Sequence, residues 1–241
     1  MKLAGEPFVE WGWLGQHLGE LVHLAIQHME LTAIAVGLGI VIAFPLAVVG
    51  YRHGRAYGPI SAVASLLYTI PALALFAFLV PYTGLTTLTA EVGLVSYTLL
   101  ILIRNTVAGL AAVPDDIKEA ARGMGYTRRQ QFWQVEVPLA LPVIIAGVRI
   151  ATVTTIGLVT VTALIAEGGL GAYILLGIQQ AFATPALAAA VGSVILAVGA
   201  DLILLAVQRA LTPWTRHAQT GSDGSALPID PREMAALAAK G

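Results

Sequence analysis

PDDIKEAARGMGYTRRQQFWQVEVP, residues 114–138, is a charged, helix-friendly stretch in a chain that is otherwise oily. It must be ordered while lying between two apolar runs. Asp116 is placed to cap a first short helix, with Glu119 three residues on as the partner of a capping box. Ala120 and Ala121 extend that helix, and Gly123 and Gly125 end or bend it. Thr127 with Gln130 repeats the capping pattern for a second helix that carries Phe132, Trp133 and Val135 and is expected to stop before Pro138. A plain connecting loop has no use for two capped helices. A docking surface does, because pre-formed shape lowers the ordering cost of binding.

Outward from this segment the composition is that of a membrane protein. The chain has 241 residues, 57% hydrophobic and only 11% charged, against the ~25% of a soluble domain. A helix needs about 20 apolar residues to cross the hydrocarbon. Five stretches meet that length: roughly 31–50, 60–80, 85–103, 139–166 and 185–207. They are too long and too uniform for barrel strands. The expected fold is therefore all-α, a polytopic bundle of about five spans, with Pro45, Pro71 and Gly157 as interruptions that neighbouring helices can satisfy.

The basic residues set the orientation. Arg52 and Arg55 follow the first span; Arg104, Lys118, Arg122, Arg128 and Arg129 lie between the third and fourth; Arg209 and Arg216 follow the fifth. The other two connections, PYTGLTTLTAE and EGGLGAYILLGIQQAFAT, hold neither Lys nor Arg. The segment 104–138 and the C-terminus are thus expected in the cytoplasm, and the N-terminus outside. Residues 1–29 read as an extracytoplasmic amphipathic helix at the interface, with Trp11 and Trp13 at headgroup level. Simple extension of the first span is the other reading. Residues 30–212 form the membrane domain and 213–241 a flexible tail, with a possible short helix over 230–240.

Several functions are excluded or weakened. There is no cysteine, hence no disulfide, thiolate metal site or thiol nucleophile. The histidines show no metal-ligand spacing, and no nucleic-acid motif is present. No catalytic constellation is apparent. EGGLG, 167–171, lacks the Gly-Lys-Ser/Thr ending of a phosphate loop, so no ATP hydrolysis is expected in this chain. Arg149 and Asp201 fall inside spans. Arg149 is eleven residues past Pro138 and Asp201 eight before Arg209. At about 1.5 Å per residue both sit roughly 12–16 Å from a cytoplasmic end, which predicts a pair. Snorkelling of Arg149 to the interface is the alternative.

The segment also resembles a known signature. Glu119-Ala120-Ala121, three residues, Gly125, nine residues, Val135, one residue and Val137-Pro138 follow the EAA motif of ABC-importer permeases, with Val137 where Leu is usual. YTIPALALFAFLVP, IRNTVAGLAAVPDDIKEAARGMG and AEGGLGAYILLGIQ resemble its osmoprotectant branch, over roughly residues 30–212. The resemblance implies a type I importer fold in a bacterial cell membrane. It implies a second permease subunit, identical or related, a dimer of cytosolic ATPase subunits that bind ATP and Mg, and an extracytoplasmic binding protein. The solute would be glycine betaine, carnitine, choline or proline betaine. Residues 119–123 and 125, with Arg128, Arg129 and Pro138, would couple to the ATPase. Quaternary ammonium solutes favour aromatic faces, so Tyr68, Tyr97 and Tyr173, with Pro71, are path candidates. A permease for an amino acid derivative, a secondary transporter or channel without an ATPase, and a membrane scaffold are the competing readings.

Overall fold

A computed structural model describes residues 9–165 and 168–214. The N-terminal eight residues and the tail helix expected over 230–240 lie outside the described residues. Every regular element described is helical. The elements are α1 (Trp11–Arg52), α2 (Gly54–Thr69), α3 (Ala72–Thr83), α4 (Thr87–Ala111), α5 (Asp115–Gly123), α6 (Arg128–Gln131), α7 (Val137–Val159), α8 (Gly171–Gln179) and α9 (Ala183–Leu211). A π-helical turn, Phe132–Glu136, joins α6 to α7, and a 3₁₀ turn, Val161–Ile165, follows α7.

Four helices are long and apolar enough to cross a membrane: α1, α4, the run Arg128–Val159 and α9; α2 with α3 makes a fifth if counted as one span. The second span expected over 60–80 is therefore not one rod. It breaks between Thr69 and Ala72 and turns through 94°. Pro71 removes an N–H donor and holds Ile70 extended, at φ −64° and ψ 127°.

The expected boundary near residue 29 is also absent. α1 runs unbroken for 42 residues, about 63 Å at 1.5 Å per residue, roughly twice the hydrocarbon thickness. Its N-terminal half packs on the rest of the bundle. Trp13, Leu21, Leu24 and Ala25 pack on Leu170 and Tyr173 of the α8 region and on Ala189 of α9. Trp13 meets Tyr173 edge-on, centroids 5.4 Å apart, and Trp11 stays exposed.

The core lies where α4 packs between α1 and α7. Small residues allow it: a Cβ at Gly39 of α1 would sit 2.1 Å from Thr98 Oγ1, and one at Gly147 of α7 would sit 2.4 Å from Asn105 Cβ. Leu31, Ala35, Leu94 and Val159 fill the space between the three helices. His28 is fully buried, and its Nε2–H donates to Ile156 O at 2.8 Å, tying α1 to α7.

Candidate functional site

The segment between α4 and α7 is built by local chemistry. α5 begins at Asp115 behind Pro114, with no side-chain cap. The capping box expected at Asp116 does not form. Asp116 already lies inside the helix and lacks the extended backbone a cap requires. Asp115 and Asp116 instead oppose the positive end of the helix dipole, and Asp115 takes an ion pair from Lys118 at 3.1 Å. Burial disfavours the Lys118 ammonium, but Asp115 and the Tyr51 hydroxyl outweigh it and hold its pKa above the ordinary lysine value.

The end of α5 is a Schellman motif. Tyr126 N–H donates to Ala121 O at 3.2 Å and Gly125 N–H to Arg122 O at 3.0 Å. The reversal puts Gly125 at φ +86°, where a Cβ is strained. Thr127 then caps α6: its Oγ1 accepts from Gln130 N–H, and its own N–H donates to Gln130 Oε1 at 2.9 Å.

Pro138 does not stop the helix. The wider π turn intervenes, and Val137 N–H donates to Phe132 O, five residues back. The ring of a mid-helix proline clashes with the carbonyl four residues earlier. Widening the turn just before it lets α6 run on into α7. From Arg128 onward the segment is thus continuous with a membrane-crossing helix.

Phe132 anchors it to the bundle, and Gln131 and Glu136 are buried beside it. Ala121 is buried, and Phe132 packs with Leu110, Val113 and Ala140. Arg52 at the end of α1 lies over the Phe132 ring, 4.6 Å from its centroid. Glu119, Ala120, Arg122, Gly123, Gly125, Arg128 and Arg129 all remain exposed, and Pro138 is half-buried. Sequence reasoning missed Ile117, 38% exposed, and Met124, 69% exposed. With Ala120 they recur at spacings of three and four, which is one helix face. An apolar row in an otherwise polar helix was the signal that could have shown them. A cleft of about 680 Å³ lies between this segment and the end of α1, lined by Tyr51, Arg52, Lys118, Arg122, Arg128 and Glu136 among others. Cations dominate it, so it suits an acidic partner group.

Three of the four path candidates meet at the break between α2 and α3. The Tyr97 hydroxyl donates to Ile70 O, the carbonyl freed beside Pro71, and Tyr68 stands edge-on to Tyr97 with centroids 5.8 Å apart. Tyr97 is buried, whereas Tyr68 and Pro71 are exposed. Tyr173 is not brought to this group; it is buried between α1 and α9.

Arg149 and Asp201 form a bidentate ion pair. Nε reaches Oδ1 and Nη2 reaches Oδ2, each at 2.8 Å. Nη1 donates to Gln208 Oε1 at 3.2 Å, and Gln208 Nε2 donates to Pro142 O at 3.1 Å. Arg149 therefore turns toward α9 rather than snorkelling. No group of side chains that could hold a metal ion occurs among the described residues.

Comparison with known proteins agrees with this architecture. The choline transport system permease protein OpuBB of Bacillus subtilis is 38% identical over 195 residues, 81% of this chain and 90% of that protein. The osmoprotectant import permease protein OsmW of Salmonella typhimurium is 40% identical over 200 residues, 81% of this chain and 93% of that protein. The inward-facing MetNI methionine ABC transporter superposes with a TM-score of 0.74 at 25% identity, covering 82% of this chain and 98% of that one. An amino acid ABC transporter superposes with a TM-score of 0.67 at 17% identity, which shows the shared fold. Residues 35–217 match the family described as the binding-protein-dependent transport system inner membrane component, and the chain belongs to that family.

Proposed function

We propose that this chain is the membrane-spanning permease of an ATP-driven importer for an osmoprotectant, a small quaternary ammonium solute such as glycine betaine, carnitine or choline. The observation that carries the reading is the ordered segment 115–137. It is pinned to the bundle by Phe132, buries Ala121, and presents Ile117, Ala120 and Met124 outward. A secondary transporter has no need of such a surface. Relatives whose names specify choline, glycine betaine, carnitine or osmoprotectant transport support the solute class.

In this reading the segment lies in the cytoplasm, as do the basic residues around it, and the N-terminus lies outside. It seats in an ATPase subunit that binds ATP and Mg; the chain itself is not catalytic. A second permease subunit completes the path, and an extracytoplasmic binding protein delivers the solute. Closure of the ATPase dimer moves the segment, and the unbroken run from α6 into α7 carries that motion into the bundle. Tyr68, Pro71 and Tyr97 then lie at a ready-made break in the second span, where a change of backbone direction is already present.

The test is uptake. The assembled complex in proteoliposomes, with its binding protein outside and ATP inside, should accumulate radiolabelled glycine betaine, carnitine or choline. Uptake that persists without ATP would support the secondary-transporter reading instead.

A further inference from the structure

The face shared by α7 and α9 carries a feature that lipid cannot cover. Asp201 lies ten residues before the end of α9, about 15 Å along the axis, so it falls within a hydrocarbon core about 30 Å thick. Its side chain is 34% exposed and that of Arg149 is 23% exposed. Both open onto a cavity of about 580 Å³ whose other walls include Ala146, Val153, Thr154 and Val198. Around it α9 is bare, with Val194, Ile195 and Leu202 exposed. Charges at this depth are costly against lipid and line a bundle interior or a water-filled cavity.

We propose that Arg149 and Asp201 are a substrate-reading pair on the translocation path, matched to a zwitterion. The inference rests on the osmoprotectant reading above. A betaine carries a carboxylate and a quaternary ammonium in one small molecule. Its carboxylate takes the Arg149 guanidinium, which offers two donors in a fork. Its ammonium lies by the Asp201 carboxylate, and its methyl groups rest on Ala146, Val153 and Val198. When the solute leaves, the two side chains close on each other. The pair then serves as its own stand-in ligand, and neither charge is left alone at that depth. Gln208 holds Arg149 from the cytoplasmic side and keeps the fork aimed across the cavity.

Two measurements on the complete complex in proteoliposomes test this. The first compares glycine betaine with choline, a cation that lacks the carboxylate. Arg149→Gln should raise the choline-to-betaine uptake ratio roughly tenfold or more, the loss of one charge-assisted contact made by the zwitterion alone. Asp201→Asn should lower uptake of both. An unchanged ratio in Arg149→Gln, with both substrates reduced alike, would overturn the proposal and leave a purely structural pair. The second keeps both charges, so it stands if those variants fail to assemble. Val198→Cys should react with a water-soluble maleimide, and glycine betaine should protect it. Labelling that betaine does not protect would overturn the proposal, as would cross-linking of that cysteine to the second permease subunit in place of labelling. If the unaltered complex takes up neither substrate, the osmoprotectant reading itself falls and takes this inference with it.

Discussion

Gly125 shows how one residue sets the shape of segment 115–131. Its φ of +86° closes the Schellman turn, and nothing lies within 4 Å of where its Cβ would be. Substitution therefore costs backbone energy alone, about 1–2 kcal/mol. Gly125→Val should speed amide hydrogen exchange across residues 115–131, and Gly125→Asn should do so less, since Asn tolerates this region. Met124 makes the complementary case. It is 69% exposed, so Met124→Glu should leave the unfolding free energy of the isolated chain within about 0.5 kcal/mol of the parent. Co-purification of the ATPase should nevertheless fall sharply. At this scale the sequence was legible where side chain and backbone act locally. Thr127 and Gln130 form their box. Asp116 does not, because α5 starts behind Pro114, two residues too early.

At the scale of elements, polarity and breaks are different signals. The polar residues before Leu31 suggested a separate helix, but His28-Met29-Glu30 contains neither Gly nor Pro, so nothing interrupts the backbone there. α1 runs straight through. Pro71 is the converse. Proline inside an apolar run is commonly absorbed as a kink, yet here it breaks the second span outright by 94°. The tertiary partner decides it: the Tyr97 hydroxyl takes the freed Ile70 carbonyl, and no pattern within residues 60–80 reveals a donor on another helix. Tyr97→Phe should cost about 1–3 kcal/mol for the orphaned carbonyl. It should lower the denaturation midpoint in detergent and slow uptake. Tyr68→Phe, which keeps the ring contact, should change the midpoint little. Pro138 was likewise read as a stop, because no sequence signal announces the π turn that lets the helix pass it.

For the whole molecule, composition and the length of the apolar runs were enough to read an all-α membrane bundle. The Thr127 cap and the exposure of the charged residues of segment 115–131 were legible too, because they depend on neighbours in sequence. The gathering of Tyr68, Pro71 and Tyr97 was not legible, nor was the exclusion of Tyr173, since both depend on how distant helices meet. Segment 115–137 is proposed to engage a cytosolic nucleotide-hydrolysing subunit. The most direct test is a photo-crosslinking residue in place of Met124, activated in cells. The account predicts a covalent adduct with an ATP-binding chain, formed from the cytoplasmic side and diminished when Ala120 is enlarged to Leu. A crosslink to an extracytoplasmic protein, or no ATPase adduct in cells that still transport the solute, would contradict it.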